Sequence, residues 1–327
     1  MRENGGTIAL ADLRGYRAIE RTPLRGSYRG HEVVVLPPPC SGGVTLLQML
    51  AMIEPFDVRA LGRDSAAKHH LFAEAMRRAF CDRIEYLGDP AFVSMPLARM
   101  LERKYLAGRM ADFDPGRATP SAMVRPGLGP RESTETTHFS IVDAAGNAVA
   151  NTYTLRNGFG SGVTIPGTGL LMNNVMDDLA AKVGEPNAHG LMQGSANAIA
   201  PGKRALSSMT PALVFRDGRL LLVTGSPGGP TIINTVLQVV TNVADFGLPV
   251  MQAVAAPRMH HQWLPDELAH ERNAISAETA AALRARGHKV VEKGSQGEAE
   301  TIWIDPKTGL RHGAADPRLP DTKAMGY

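Results

Sequence analysis

Apolar positions follow two periods along this chain, and the change between them divides it near residue 136. Before that point the period is mainly helical. Leu46, Leu50 and Ile53 recur at helical spacing, and Phe72, Met76, Ala79, Phe80 and Ile84 share one face of a longer helix that begins after Ser65. A strand-like run, Val33-Val34-Val35-Leu36, precedes them. Pro37-Pro38-Pro39-Cys40-Ser41-Gly42-Gly43 then breaks all periodicity. Residues 111–135 hold several Pro and Gly, keep no period and end in Arg131-Glu132-Ser133-Thr134-Glu135. They predict an exposed loop and the main boundary of the chain.

From Thr136 onward strands dominate. Residues 137–142 and 148–155 predict a hairpin around Asp143-Ala144-Ala145-Gly146-Asn147. Residues 212–215 and 220–224 predict a second, around Arg216-Asp217-Gly218-Arg219, because Gly accepts the positive φ of a tight hairpin turn. After Gly225-Ser226-Pro227-Gly228-Gly229-Pro230, the spacing of Ile233, Val236, Leu237, Val240 and Val243 predicts a buried helix. A helix over 277–286, a strand over 301–304 and a turn at 306–309 close the chain. Helices with antiparallel hairpins make an α+β pattern.

Length and composition narrow the function classes. The 327 residues allow about two domains of ~150 residues or one larger α/β unit. With 43% hydrophobic and 20% charged residues, the chain can form a core without a metal or disulfide staple. A net charge of +3 with both signs scattered argues against nucleic-acid and membrane-surface partners. Cys40 and Cys81 have neither metal-ligand spacing nor the density of a disulfide framework. No apolar stretch reaches the ~18 residues of a membrane span, and the start lacks a signal-peptide core. The chain reads either as cytosolic or as one whose exported front end lies upstream.

Threonine is a poor nucleophile without a base beside it. As the first residue of a new chain, it carries that base as its own α-amine, whose pKa is ~8. Glu135-Thr136, at the loop–strand junction, suits such a cut, although a threonine opening a strand also simply suits a β surface. Paired glycines in Gly225–Pro230, between strand and helix, could aim two N–H groups at one oxyanion, or could only make a tight turn. No Gly-Lys-Ser/Thr follows for a phosphate loop, and Thr224 stands where a G-x-S-x-G elbow needs its first glycine. His260-His261 lack ligand spacing and read as structural; Asp177-Asp178 read as an acid–base or metal pair, or a solvated turn. His138 reads as a strand residue.

Together these segments resemble the γ-glutamyltranspeptidase family over the whole chain. Pro37–Gly43 is similar to a large-subunit motif that usually has serine at the Cys40 position. Thr136-Thr137-His138-Phe139-Ser140 is similar to the start of a small subunit. Asn173-Asn174-Val175-Met176-Asp177-Asp178, Arg204-Ala205-Leu206-Ser207-Ser208-Met209, Gly225–Gly229 and Ala315-Asp316-Pro317-Arg318 follow in the family's order. The resemblance implies a four-layer αββα sandwich of the N-terminal-nucleophile hydrolase type. It implies a precursor cut before Thr136, with 1–135 as the back of a large subunit and 136–327 as the small one. No cofactor or metal is implied.

By the same resemblance Thr136 is the nucleophile, Thr154 positions it, and the N–H groups of Gly228 and Gly229 hold the oxyanion. Ser207 and Ser208 bind the donor α-carboxylate and Asp178 its α-ammonium. The donor is glutathione or another γ-glutamyl amide, and the acceptor is water, an amino acid or a dipeptide. The chain departs from the pattern in three places: Arg156 replaces a usual Asn, Val175 replaces Gln or Glu, and His189 stands at an aromatic lid position. An upstream segment with a carboxylate-binding arginine also lies outside this sequence, so Arg156 becomes a candidate for that cation. Relatives are mostly periplasmic or secreted. Arg156 and Val175 favour an alternative, a glutaryl-cephalosporin acylase-like amidase, since a glutaryl group has no ammonium. A further alternative is a non-catalytic fragment with open edges and apolar faces.

Overall fold

The computed structural model describes residues 5–125, 137–183, 185 and 194–326. Its helices are α1 (Leu10–Gly15), α2 (Gly42–Ile53), α3 (Val58–Leu61), α4 (Ala66–Tyr86), α5 (Leu97–Met100), α6 (Arg103–Arg109), α7 (Thr231–Ala244), α8 (Val250–Ala255) and α9 (Ala277–Ala285). Its strands are β1 (Leu24–Tyr28), β2 (His31–Val35), β3 (Thr137–Val142), β4 (Ala148–Tyr153), β5 (Ala212–Arg216), β6 (Arg219–Thr224), β7 (Met259–His260), β8 (Leu268–His270), β9 (Val290–Glu292), β10 (Thr301–Ile304) and β11 (Arg311–Ala314).

A six-stranded antiparallel sheet in the order β1-β2-β5-β6-β10-β11 centres the molecule. Strand periodicity decides its two faces. Val33, Val35, Val214 and Leu222 turn toward α2 and α7 and join the main core with Leu46, Leu50, Phe72, Phe80 and Val236. Leu221 and Val223 point the other way, where the β3–β4 hairpin packs on β6 and β10. The described residues are therefore α+β: helices, sheet, then hairpin. The hairpin's outer side is open, with Phe139, Ile141, Val149 and Tyr153 exposed. A small sheet, β7-β8-β9, sits apart from the main one.

The Asp-Gly turn adopts the backbone expected of it, with φ 50° at Asp217 and 73° at Gly218. The described part of the expected exposed loop, residues 111–125, is mostly exposed but is tied down at a few points. Ser121 is buried, its N–H donating to Asp266 Oδ2 at 2.7 Å, and Ala118 N–H donates to Arg286 O at 2.7 Å. Sparse periodicity there hid a segment tied down by polar contacts instead of an apolar stripe.

Helix α4 buries charge as well as apolar surface. Glu74 is held by Arg77 and Arg78, and Arg77 also reaches Asp266. Asp82 accepts from Tyr105 Oη at 2.8 Å and pairs with Arg109 at 3.0 Å. Pairing is what makes such burial tolerable. Among the described residues no helix is long and apolar enough to cross a membrane.

Candidate active site

Two proline–glycine turns, each opening a helix, frame the site. The first leads into α2. A Cβ on Gly42 would lie 1.9 Å from Thr210 Oγ1 and 2.7 Å from Ser208 O, so only glycine lets α2 start against residues 208–210. Ser41 N–H donates to Ser207 O, and Ser207 N–H to Pro39 O, both at 2.7 Å. Ser41 Oγ donates to the same Ser207 carbonyl at 2.8 Å. This brings Ser207 and Ser208 to the positive end of a twelve-residue helix, where an anion is favoured.

Arg83 completes this corner and was missed in the sequence. It is wholly buried, donating from Nε to Ser41 Oγ at 2.9 Å and from Nη2 to Ser208 Oγ at 2.8 Å. The available signal was its position: Arg83 follows Phe80 by three residues and Ala79 by four, on the apolar face of α4.

The opposite corner holds Asp178, in a short 3-10 helix, Val175–Asp178. Asn197, itself buried, ties the two corners together: its Nδ2 donates to Asp178 O at 2.5 Å, and its Oδ1 accepts from Leu206 N at 3.4 Å. Arg156 is buried beside Asp178, donating from Nε to Oδ1 at 2.9 Å, and its Nη2 pairs with Asp177. Its φ of 75° lies in the left-handed region, which Asn tolerates better than Arg. That strain of about 1 kcal/mol or more is offset by two carboxylates. Asp177 and Asp178 thus form an ion-pair cluster with Arg156 rather than a solvated turn. The guanidinium is turned to acidic partners, which counts against its expected role as the cation for a donor carboxylate.

The second glycine turn leads into α7. Gly228 and Gly229 have φ of 120° and 63°, and Gly228 lies so close to Gly297 that a Cβ would be 2.7 Å from its Cα. Thr231 Oγ1 donates to Gly228 O at 2.6 Å. Among the described residues, no acceptor takes the N–H of Gly228 or of the buried Gly229. Buried amides without acceptors are rare in folded proteins. These two adjacent N–H groups, one of them buried, lie at the start of a fourteen-residue helix, a setting that favours an anion.

β3 packs against β6, the strand that leads into the second turn, and a Cβ on Gly225 would meet the His138 ring. Thr137 opens β3, paired with Tyr153, and Thr154 follows at the end of β4, its Oγ1 accepting from Arg156 N at 2.8 Å. His138 is more than a strand residue: its Nδ1 lies 2.7 Å from Thr152 Oγ1 and its Nε2 3.1 Å from Ser140 Oγ. Burial pushes its pKa down to about 4, so it is neutral at pH 7. Thr137, Phe139, Pro227, Glu298 and Glu300 line a cleft of about 650 Å³. Burial, helped by Asp316 and Glu298, pushes the Glu300 carboxyl up to about 7. Glu135, Thr136 and His189 lie outside the described residues.

Other histidines belong to the scaffold. His260 and His261 are buried with their pKa values pushed down to about 4, chiefly by burial. His260 contacts Asn234 and Gln262, while His261 meets Arg77. His70, Glu74 and His288 converge, but Arg77 and Arg78 already occupy the Glu74 carboxylate and would repel a metal cation.

Comparisons with known proteins give the family. The family model described as gamma-glutamyltranspeptidase matches residues 1–326. The glutathione hydrolase proenzyme of Escherichia coli (strain K12) is 49% identical over 328 residues, covering 100% of this chain and 56% of that protein. The acylase ACY 1 proenzyme of Pseudomonas sp. (strain SE83) is 41% identical over 291 residues, 89% of this chain and 49% of that protein. The chain therefore spans about half the length of these relatives. Among solved structures, cephalosporin acylase from Bacillus halodurans has a TM-score of 0.83 at 28% identity, over 97% of this chain and 55% of its own. A mutant of Helicobacter pylori gamma-glutamyltranspeptidase gives 0.55 at 46% identity, over 56% of this chain and all of its own. Matched over nearly its whole length, the chain belongs to the gamma-glutamyltranspeptidase family.

Proposed function

We propose that this chain is a γ-glutamyl hydrolase and transferase with Thr136 as its nucleophile, formed when the Glu135–Thr136 bond is cut. Residues 1–135 and 136–327 are then two parts of one precursor. The observation that carries the reading is the pair of N–H groups at Gly228 and Gly229, held at a helix start with no acceptor among the described residues. Thr137 opens β3 at the adjoining cleft, so a chain cut before residue 136 begins one residue from it.

In the first step Thr136 Oγ1 attacks the Glu135 carbonyl carbon. The peptide C–N bond breaks, the nitrogen gains a proton, and an ester remains until water opens it. The freed α-amine then accepts the hydroxyl proton as Oγ1 attacks the γ-amide of a donor such as glutathione. The oxyanion settles on the Gly228 and Gly229 N–H groups, and the leaving amine departs with the proton. Water, an amino acid or a dipeptide takes the acyl group from the ester. Ser207 and Ser208 hold the donor α-carboxylate, Asp178 its ammonium, and Thr154 positions the nucleophile. Mass spectrometry of purified protein should show a chain beginning at Thr136, and Thr136→Ala should abolish both scission and turnover. Uncut, inactive wild-type protein would sink the reading.

A second reading concerns the acyl group. Arg156 already pairs with Asp178 and Asp177, so an acyl group without an ammonium, such as glutaryl, meets less competition there. Faster cleavage of a glutaryl anilide than of a γ-glutamyl anilide would favour this amidase over the transferase.

A further inference from the structure

Among the described residues of β3 and β4, His138 alone is buried. Its ring lies on Gly225, where a Cβ would be no more than 2.7 Å from Cε1, Nδ1 and Nε2. Gly225 is outside the left-handed region, so the ring and not the backbone demands glycine there. From Ser140 Oγ, bonded to the ring, a hydrogen bond of 2.9 Å runs to the Glu300 carbonyl. Glu300 N–H donates to Gly225 O at 3.2 Å. Ring, Ser140, Glu300 and Gly225 thus close a circuit that joins the hairpin to the sheet.

The direction of each bond follows. A carbonyl only accepts, so the single proton of Ser140 goes to Glu300 O. His138 Nε2 then donates to Ser140, and Nδ1, bare in the neutral ring, accepts from the Thr152 hydroxyl. A partner on each nitrogen fixes the rotation of the ring, with Cε1, which lies between them, on Gly225.

We infer that His138 is a positioning residue that sets the separation between the proposed nucleophile and the proposed anion cradle at Gly228 and Gly229. His138 follows Thr136 by two residues, and Gly225 precedes Gly228 by three, so their contact spans the two halves of the site. The inference rests on the Thr136 reading above and adds what holds those halves in register. Attack needs the reacting atoms ~3–3.5 Å apart, and a misplacement of about 1 Å costs about 100-fold. The larger apolar groups of the hairpin, Phe139, Ile141, Val149 and Tyr153, face outward and leave that precision to the ring.

The test removes the fit from either side. Gly225→Ala should push the ring off its seat, and His138→Ala should leave the seat empty. Each should lower kcat per titrated site on a γ-glutamyl anilide about 10- to 100-fold, with KM little changed. Self-scission, which uses the same groups, should slow in parallel. In the double variant the new methyl enters space the ring has left, so the two losses should not add. At pH 7 the 15N spectrum of the wild-type protein should show His138 as the Nε2–H tautomer.

Full kcat and scission in Gly225→Ala, additive losses, a rise in KM alone, or the Nδ1–H tautomer would overturn the inference and leave the nucleophile reading intact. A wild-type protein both uncut and inactive would overturn that reading itself. Should an alanine variant not fold, Ser140→Ala decides, since it cuts the circuit and keeps the ring. The inference requires its kcat to fall with KM and melting temperature held, and unchanged kcat rejects it.

Discussion

On one face of the six-stranded sheet, Leu46 and Leu50 of α2 sit in a core that also buries Phe72 and Phe80 of α4. On the other, the β3–β4 hairpin shields Val223 with its inner side and leaves Phe139 and Ile141 40% and 52% exposed on its outer side. Apolar residues occupy both places, but only the first set gains the stabilisation of complete burial. Stability is thus concentrated under the helices, while the strand that leads from the proposed nucleophile lies on the thinly covered side. A site carried by a light hairpin on a heavily packed base can tolerate change in its binding groups without loss of the fold.

The contrast can be broken most directly at its extremes. Phe72→Ala should cost about 3–5 kcal/mol in denaturant unfolding, since a wholly buried ring leaves a cavity. Gly228→Ala should cost less in stability, about 1–3 kcal/mol, for strain at a positive φ. Its turnover should nevertheless fall by about 100-fold or more as the cradle shifts. Unchanged turnover would remove the cradle from the mechanism.

Acid should weaken the packed side next. Burial holds His260 and His261 near about 4 and His288 near about 3, and on the hairpin His138 near about 4. The unfolded chain binds these protons at about 6.5, so stability is complete above that pH and falls as pH drops toward 4. Glu300 runs the opposite way: its folded value near about 7 exceeds the unfolded ~4.5, so its contribution is present below 4.5 and lost as pH rises through 7. Four imidazoles outnumber one carboxyl, and the melting temperature should fall between pH 7 and pH 5. Last, Ile141→Thr on the open face should move stability by no more than about 0.5 kcal/mol. A cost like that of Phe72→Ala would show that this face is not open in solution.

Much of the fold was legible because its elements are long or carry distinctive turns. Helices α2, α4, α7 and α9, the β3–β4 hairpin and the Asp217-Gly218 turn all lie where spacing put them. Strands β7, β8 and β9 were not, since two or three residues give periodicity nothing to count. β1 was lost in a turn-rich stretch, and it is defined by pairing with β2 rather than by its own pattern. In the proposed site, the glycines and serines are candidates by motif order. Arg83 stayed hidden because a charged residue on an apolar helix face reads as an imperfection until its partners, 42 and 125 residues away, are seen.

Asn197 has a consequence for how this site changes over evolutionary time. It joins the main chain at Asp178 to the main chain at Leu206, using only an amide side chain and two backbone groups. The spacing between these two segments is therefore set without the side chains of the proposed acyl pocket. On the function proposed here, Arg156 and Val175 are fittings on a fixed gauge, and exchanging them leaves the frame as it is.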